Sequence, residues 1–172
     1  METKADMTAR PATPADAPAI REIYNQGIED RIATFETAPR STDDVEAWFD
    51  GRHPIVSVID AEGNVVGYAA TFSYADRCCY AGIAEFSVYV RRDRRGEGEG
   101  AGAVAMEALI TAASAAGFWK LMSRVFVENR ASRALLASMG FLEVGVHEKH
   151  GKLDGVWRDV VAVERLLNAN LD

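Results

Sequence analysis

The chain is poor in cysteine: Cys78 and Cys79 are the only two in 172 residues. As sequence neighbours they are badly placed to staple distant segments, which suits a reducing compartment. No apolar run reaches the about 18 residues needed to cross a bilayer, so no membrane span is expected. The opening Met1-Glu2-Thr3-Lys4-Ala5-Asp6 lacks the apolar segment of a secretion signal, and a cytoplasmic location is the expectation. Positive charge is also scarce, with 19 Lys and Arg against 26 Asp and Glu and a net charge of −7. That balance argues against general binding to nucleic acid or anionic membrane, because phosphate backbones require clustered Lys and Arg. His53, His147 and His150 are scattered without metal-ligand spacing, so no metal is expected.

What is present is an ordinary globular composition, 48% hydrophobic and 26% charged, at the size of one domain. Residues 1–7 read as a loose tail and 8–172 as a single domain without linker or repeat. Thr8 to Ala12 forms a short strand. Thr13-Pro14-Ala15-Asp16 opens a helix, with a hydroxyl cap, a first-turn proline and an acid. Ile20, Ile23, Tyr24 and Ile28 share its apolar face, and the helix is expected to run to about Gly27. Ser41-Thr42-Asp43-Asp44 caps a second short helix carrying Val45, Trp48 and Phe49.

Ile55–Ile59 and Val65–Ser73 form a hairpin around Glu62-Gly63-Asn64, and Ile83–Val90 is a third, longer strand. A helix from about Gly98 to Ala116 ends at Gly117. Lys120–Val127 is a strand, and Asn129-Arg130-Ala131-Ser132 begins a helix that stops at Met139-Gly140. Phe141–His147 and Val156–Arg165 are the last strands, joined by the polar stretch Lys149–Gly155. The order β-α-α-β-β-β-α-β-α-β-β describes one mixed α+β domain.

Between the third long strand and its helix lies Arg95-Gly96-Glu97-Gly98-Glu99-Gly100. Free backbone N–H groups and the positive end of a helix converge there, and glycines let a phosphate approach the main chain. The one basic cluster, Arg91-Arg92-Asp93-Arg94-Arg95, abuts this loop. A nucleoside-triphosphate loop needs Lys-Ser or Lys-Thr after its glycines, and none follows. Gly98-Glu99-Gly100-Ala101-Gly102-Ala103 matches a dinucleotide fingerprint literally, but the region after its helix lacks the acid that would hold a ribose. Coenzyme A is the third reading. Arg95, Gly98 and Gly100 satisfy R-x-x-G-x-G, and a second block follows: Asn129-Arg130-Ala131-Ser132, Leu135-Leu136 and Met139-Gly140-Phe141.

These two blocks, with the strands around them, resemble the GNAT acetyltransferase superfamily over nearly the whole chain. The resemblance implies a central, mostly antiparallel twisted sheet of about seven strands flanked by about four helices, with acetyl-CoA as co-substrate. It implicates main-chain groups of Val88 and Val90 beside the thioester, and Arg95, Gly96, Gly98, Gly100 and Ala101 at the pyrophosphate. Asn129 and Ser132 fall along the pantetheine arm. Glu97 and Glu99 depart from the family pattern and oppose an anion unless they point to solvent.

Within the superfamily the chain is similar to phosphinothricin N-acetyltransferase-like enzymes, in three segments and the ending Val156-Trp157-Arg158-Asp159-Val160. Thr34–Pro39 resembles the loop whose phenylalanine, here Phe35, lines the substrate pocket. Arg77-Cys78-Cys79-Tyr80 resembles R-x-x-Y, implying that Arg77 and Tyr80 hold the acidic end of the substrate. Ala84–Val90 resembles E-x-x-V-Y-V, implying Glu85 as general base. An ammonium must lose a proton before it attacks a thioester, and a free glutamate titrates near about 4.3, so burial against Ile83, Phe86 and Val88 is expected to raise Glu85. The tyrosine that many members use as acid is Leu136 here, leaving Tyr89 as a substitute. Cys78 and Cys79 read as small residues buried at a strand start, with contact to a soft element such as trivalent arsenic the alternative. His150 reads as a polar turn residue rather than a catalyst.

The implied reaction acetylates the α-amino group of a small amino-acid-like toxin such as phosphinothricin, arsinothricin or methionine sulfone, in a homodimer. Two alternatives stay open: acetylation of another amine, such as a polyamine or a protein N-terminus, and a non-catalytic coenzyme A sensor.

Overall fold

In the computed structural model, which describes residues 6–96 and 100–172, the chain opens with β1 (Thr8–Pro11) and a short 3-10 turn over Pro14–Asp16. Asp16 accepts from the Thr13 amide and forms an ion pair with Arg10, so the acid of the predicted helix start also clamps that start to β1. Helix α1 (Ala17–Asp30) buries Ile20, Ile23 and Ile28, and ends where Arg31 turns left-handed at φ 57°. It runs three residues past the expected stop. Gly27 lies inside the helix because a Cβ there would meet the Tyr89 ring at 2.6 Å. Met7, read as tail, is buried in the main core.

Helix α2 (Thr42–Glu46) is capped reciprocally by Ser41 and Asp44. Strands β2 (Ile55–Ile59), β3 (Val65–Ser73) and β4 (Ile83–Val90) form an antiparallel meander. Helix α3 (Ala101–Ala115), β5 (Lys120–Phe126) and α4 (Arg130–Ser138) follow. Strands β6 (Leu142–Leu153) and β7 (Val156–Leu166) are longer than expected. Most of the predicted polar connection is β6, and only a tight turn at Asp154-Gly155 joins the two.

The strands make one sheet in the order β1-β2-β3-β4-β5-β7-β6, in which β4 and β5 are the parallel pair. Alternation along each strand divides the core between its faces. Phe86 and Ala84 join Val104, Met106, Leu109 and Leu121 under α3 and α4. Tyr68, Ala70 and Tyr89 join Ile20, Ile23 and Val45 under α1 and α2. The expected mixed α+β sandwich of seven strands and four α-helices is what the described residues form.

Candidate active site

Parallel pairing of β4 with β5 covers only Ile83↔Lys120, Ala84↔Leu121 and Glu85↔Met122. Beyond Glu85 the strands splay, because β4 stays registered on β3 while β5 follows β7. Arg91 N donates to Val66 O on the β3 side at 2.8 Å. Main-chain groups alternate direction along a strand, so those of Val88 and Val90 turn toward the gap. The carbonyls agree: Phe86 O accepts from Ser123 Oγ at 2.9 Å and Val90 O from Arg95 Nε at 2.9 Å.

A cleft of about 370 Å³ opens beside this gap, lined by Val88, Val90, Arg94, Arg95, Gly96, Gly100–Ala103 and the first turn of α4. A smaller depression of about 90 Å³ continues from it between β4 and β5, sharing Ala33, Val88, Tyr89, Asn129 and Ser132. The predicted cofactor residues Val88, Val90, Arg95, Gly96, Gly100, Ala101, Asn129 and Ser132 therefore lie on one surface. Gly98, like Glu97 and Glu99, lies outside the described residues.

The surface suits a pyrophosphate on a linear arm. Gly100 caps α3 in the left-handed region at φ 77°, where a side chain is strained, and the first-turn amides of α3 face the cleft. Gly102 packs so close to α4 that a Cβ would meet Leu135 at 2.9 Å. Every arginine of the predicted basic cluster has a carboxylate partner. Arg91 pairs with Asp93, Arg92 with Glu29 and Asp30, Arg94 with Asp60, and Arg95 with Asp30. The four arginines are matched by four carboxylates, so the cluster adds little net charge and instead ties Arg92 and Arg95 to the end of α1 and Arg94 to Asp60. Hydrogen bonds from Arg92 and Arg95 hold Asp30 below the ordinary carboxylate range against the opposing effect of burial.

Asn129 caps α4, its Oδ1 accepting from Ser132 N at 3.2 Å while its Nδ2 donates to Ile32 O at 3.2 Å. Its amide is committed to the scaffold, which fixes the cleft wall. Leu136 is buried on the floor of the depression, an apolar side chain at the position of the tyrosine in the family pattern.

Glu85 lies on the α1 face of the sheet, and its surroundings differ from the expected apolar pocket. Phe86 and Val88 point to the opposite face, and the Glu85 side chain keeps 32% of its exposure. Its Oε1 accepts from Arg124 Nη2 at 2.7 Å. Arg124 lines the depression and was not singled out in the sequence. The signal was faint: a cation in phase with Met122 on β5 becomes visible only when the β4–β5 register is known.

Tyr89 lines both the cleft and the depression, but its ring stacks on Tyr68 at 5.6 Å and meets Tyr24 edge-on at 5.2 Å. Burial pushes its phenol above the ordinary value, with the nearby Tyr24 adding to the rise. A phenol raised in this way gives up its proton less readily than an ordinary tyrosine.

The other predicted substrate residues are dispersed. Phe35 packs edge-on against Phe126 at 4.9 Å in a small cluster with Leu153 and Val160, while Ile32 and Ala33 of the same loop line the cleft instead. Arg77 lies over the Tyr80 ring at 5.9 Å, so those two do meet. They line a separate depression with Arg52, His53, Ser73 and Asp76, which shares no residue with the cofactor cleft. Cys78 and Cys79 are exposed, not buried, because they lie on a 3-10 turn that precedes β4 rather than at the strand start itself. His150 is exposed and near His147, at a ring separation of 4.9 Å. Among the described residues no group of acidic, histidine or cysteine side chains is arranged to hold a metal, and no helix is long and apolar enough to cross a membrane.

Comparison with known proteins agrees with this architecture. The acetyltransferase (GNAT) family matches residues 19–141. An L-methionine sulfoximine/L-methionine sulfone acetyltransferase of Pseudomonas paraeruginosa is 34% identical over 95% of this chain and 94% of its own length. A phosphinothricin N-acetyltransferase of Streptomyces coelicolor is 28% identical over 97% of this chain and 100% of its own. The crystal structure of a GNAT superfamily phosphinothricin acetyltransferase from Sinorhizobium meliloti, in complex with acetyl-CoA, superposes with a TM-score of 0.86 at 28% identity. That superposition covers 94% of this chain and 88% of the other. A splayed parallel pair, a glycine-capped helix at its mouth and matches of this breadth lead to one assignment: the chain belongs to the GNAT acetyltransferase family and is an N-acetyltransferase.

Proposed function

We propose that the protein transfers an acetyl group from acetyl-CoA to the α-amino group of a small amino-acid-like antimetabolite of the phosphinothricin, arsinothricin or methionine sulfone type. The observation that carries this reading is the gap between β4 and β5. A glycine-lined cleft, fit for a pyrophosphate, opens beside it, and Arg124 in the adjoining depression holds the Glu85 carboxylate. The names of two relatives, for methionine sulfoximine or sulfone and for phosphinothricin, support the substrate class.

Acetyl-CoA supplies an activated thioester, held by the α3 N-terminus, Gly96, Gly100 and the Asn129–Ser132 turn. Glu85 takes a proton from the substrate ammonium, directly or through a water, and leaves a nucleophilic amine. The Val88 amide, turned into the gap, donates to the carbonyl oxygen as negative charge develops on it. No tyrosine at position 136 is needed to release a thiolate, whose conjugate acid near about 8.5 makes it a fair leaving group. The reading takes 8–172 as one catalytic domain acting in the cytoplasm as a resistance enzyme. It includes a homodimer, supported by exposed Leu142, Val144, Val146 and Trp157 on the β6–β7 hairpin.

The test is Glu85→Gln, assayed for thiol release with a panel of amines and for acetyl-CoA binding by titration. Loss of a general base lowers turnover by about 100- to 10,000-fold, with acetyl-CoA affinity unchanged. Equal turnover in the variant removes Glu85 from its role.

A further inference from the structure

Arg124 lines the depression at the β4–β5 gap, and it forms an ion pair with Glu85 on the neighbouring strand. The Arg124 side chain is 47% exposed, too solvated for the pair to contribute much to stability. Its guanidinium carries five N–H donors in a planar fork. Only Nη2 is engaged, by Glu85 Oε1, and Arg124 has no other hydrogen-bond partner among the described residues. An arginine at the mouth of a reaction site with most of its fork open is an anion receptor in waiting.

The geometry of the pair indicates which anion. A carboxylate and a guanidinium 2.7 Å apart present opposite charges side by side. An α-amino acid presents the inverse pattern, because its ammonium and carboxylate sit on one carbon. Laid against the pair, the ammonium meets Glu85 while the carboxylate meets the open edge of Arg124. A polyamine has a cation for Glu85 but nothing for Arg124, and it leaves the arginine's desolvation uncompensated. An α-carboxamide offers only a neutral acceptor, with a weaker, uncharged hydrogen bond.

We propose that Arg124 is the specificity residue that reads the free α-carboxylate of the acceptor, restricting the enzyme to α-amino acids. This inference rests on the N-acetyltransferase reading of the same site and adds a substrate contact to it. Arg77 and Tyr80 line a different depression and are not required for this contact.

The experiment compares methionine sulfone with its α-carboxamide, two acceptors alike in amine and side chain. The wild-type protein favours the free acid by about 10- to 100-fold in kcat/KM, the span of one or two charge-assisted hydrogen bonds. Arg124→Gln abolishes that preference, chiefly through KM for the acid, so that the acid and the carboxamide are used with similar kcat/KM whatever the change in absolute turnover. Arg124→Lys retains part of the preference. A wild-type protein indifferent to the carboxylate overturns the inference, and so does an Arg124→Gln variant that loses both acceptors equally, since Arg124 would then only position Glu85. Calorimetric titration of both acceptors into acetyl-CoA-saturated protein reads selectivity without turnover. Selective binding that depends on Arg124, with no acetyl transfer, keeps the inference and removes the catalytic reading. Transfer without selectivity does the reverse.

Discussion

Gly82 stands immediately before the three parallel pairs that join β4 to β5. Its carbonyl accepts from Trp119 N at 2.8 Å, and a Cβ at this position would lie 1.9 Å from the Trp119 ring. That ring is part of a packed side chain rather than a flexible tip, so a methyl group must displace Trp119 or push the strands apart. Gly82→Ala is expected to cost about 1–3 kcal/mol through overpacking, seen as a lower Tm. It also disturbs the register that brings Arg124 onto Glu85, so turnover falls in the surviving folded fraction. Combining it with Trp119→Ala relieves the clash, and a double variant less destabilised than the sum of the single changes confirms the steric cause. Strict additivity would mean that the ring is not the obstacle.

At the scale of elements, the segments with strong local signals were readable: the β-branched runs of β2, β3 and β4, the alanine-rich α3 and the capped start of α1. What failed were signals that depend on partners. Gly27 looks like a helix stop, yet it is the point where α1 closes on Tyr89. The polar run through Lys149 and Gly151 looks like a loop because β6 is an exposed edge strand with no buried face to impose alternation. Glycine positions and caps pointed to the residues that line the cleft between β4, α3 and α4, since backbone geometry is written locally. The contact between Arg124 and Glu85 was not legible, because it joins two strands across 39 residues of sequence. The contact between α3 and α4 gives an element-scale prediction. Gly102 lets the two helices approach, with Leu135 Cδ2 only 2.9 Å from an added Cβ. Leu135 is a flexible tip, so Gly102→Ala is tolerated with a small change in Tm. Gly102→Val adds branches that it cannot clear. This variant should separate the helices at the cost of about 1–3 kcal/mol and weaken acetyl-CoA binding in a titration, whereas unaltered affinity would show that the cleft does not depend on this spacing.

Across the whole molecule, groups whose protonation shifts on folding limit stability at both ends of the pH scale. On the acid side, burial alone would raise Asp50, but hydrogen bonds from the His53 and Arg52 amides and the His53 ring outweigh it and hold the carboxyl at about 2. Asp60 is likewise lowered: the Asn64 and Glu62 amides and the Arg94 charge outweigh its burial. Carboxyls depressed in the folded state contribute stability above their ordinary value near about 3.9, and that contribution disappears as pH falls toward about 2. On the alkaline side the sign reverses. Burial raises the phenols of Tyr68 and Tyr89, so their contribution is complete below about 10 and is lost as pH climbs through the folded values. The Tyr68 hydroxyl is fully buried and has no hydrogen-bond partner among the described residues. Such a group costs about 1–3 kcal/mol, and Tyr68→Phe removes it while keeping the ring stacked on Tyr89 and beside the tilted Trp48 ring. The expected outcome at neutral pH is a Tm higher by about 2–4 °C per kcal/mol recovered. In thermal scans from pH 7 to 11 the alkaline decline should shrink, with Tyr89 contributing to what remains. A lower Tm, or an alkaline decline of undiminished size, would mean that this hydroxyl supports the aromatic cluster under α1 rather than burdening it.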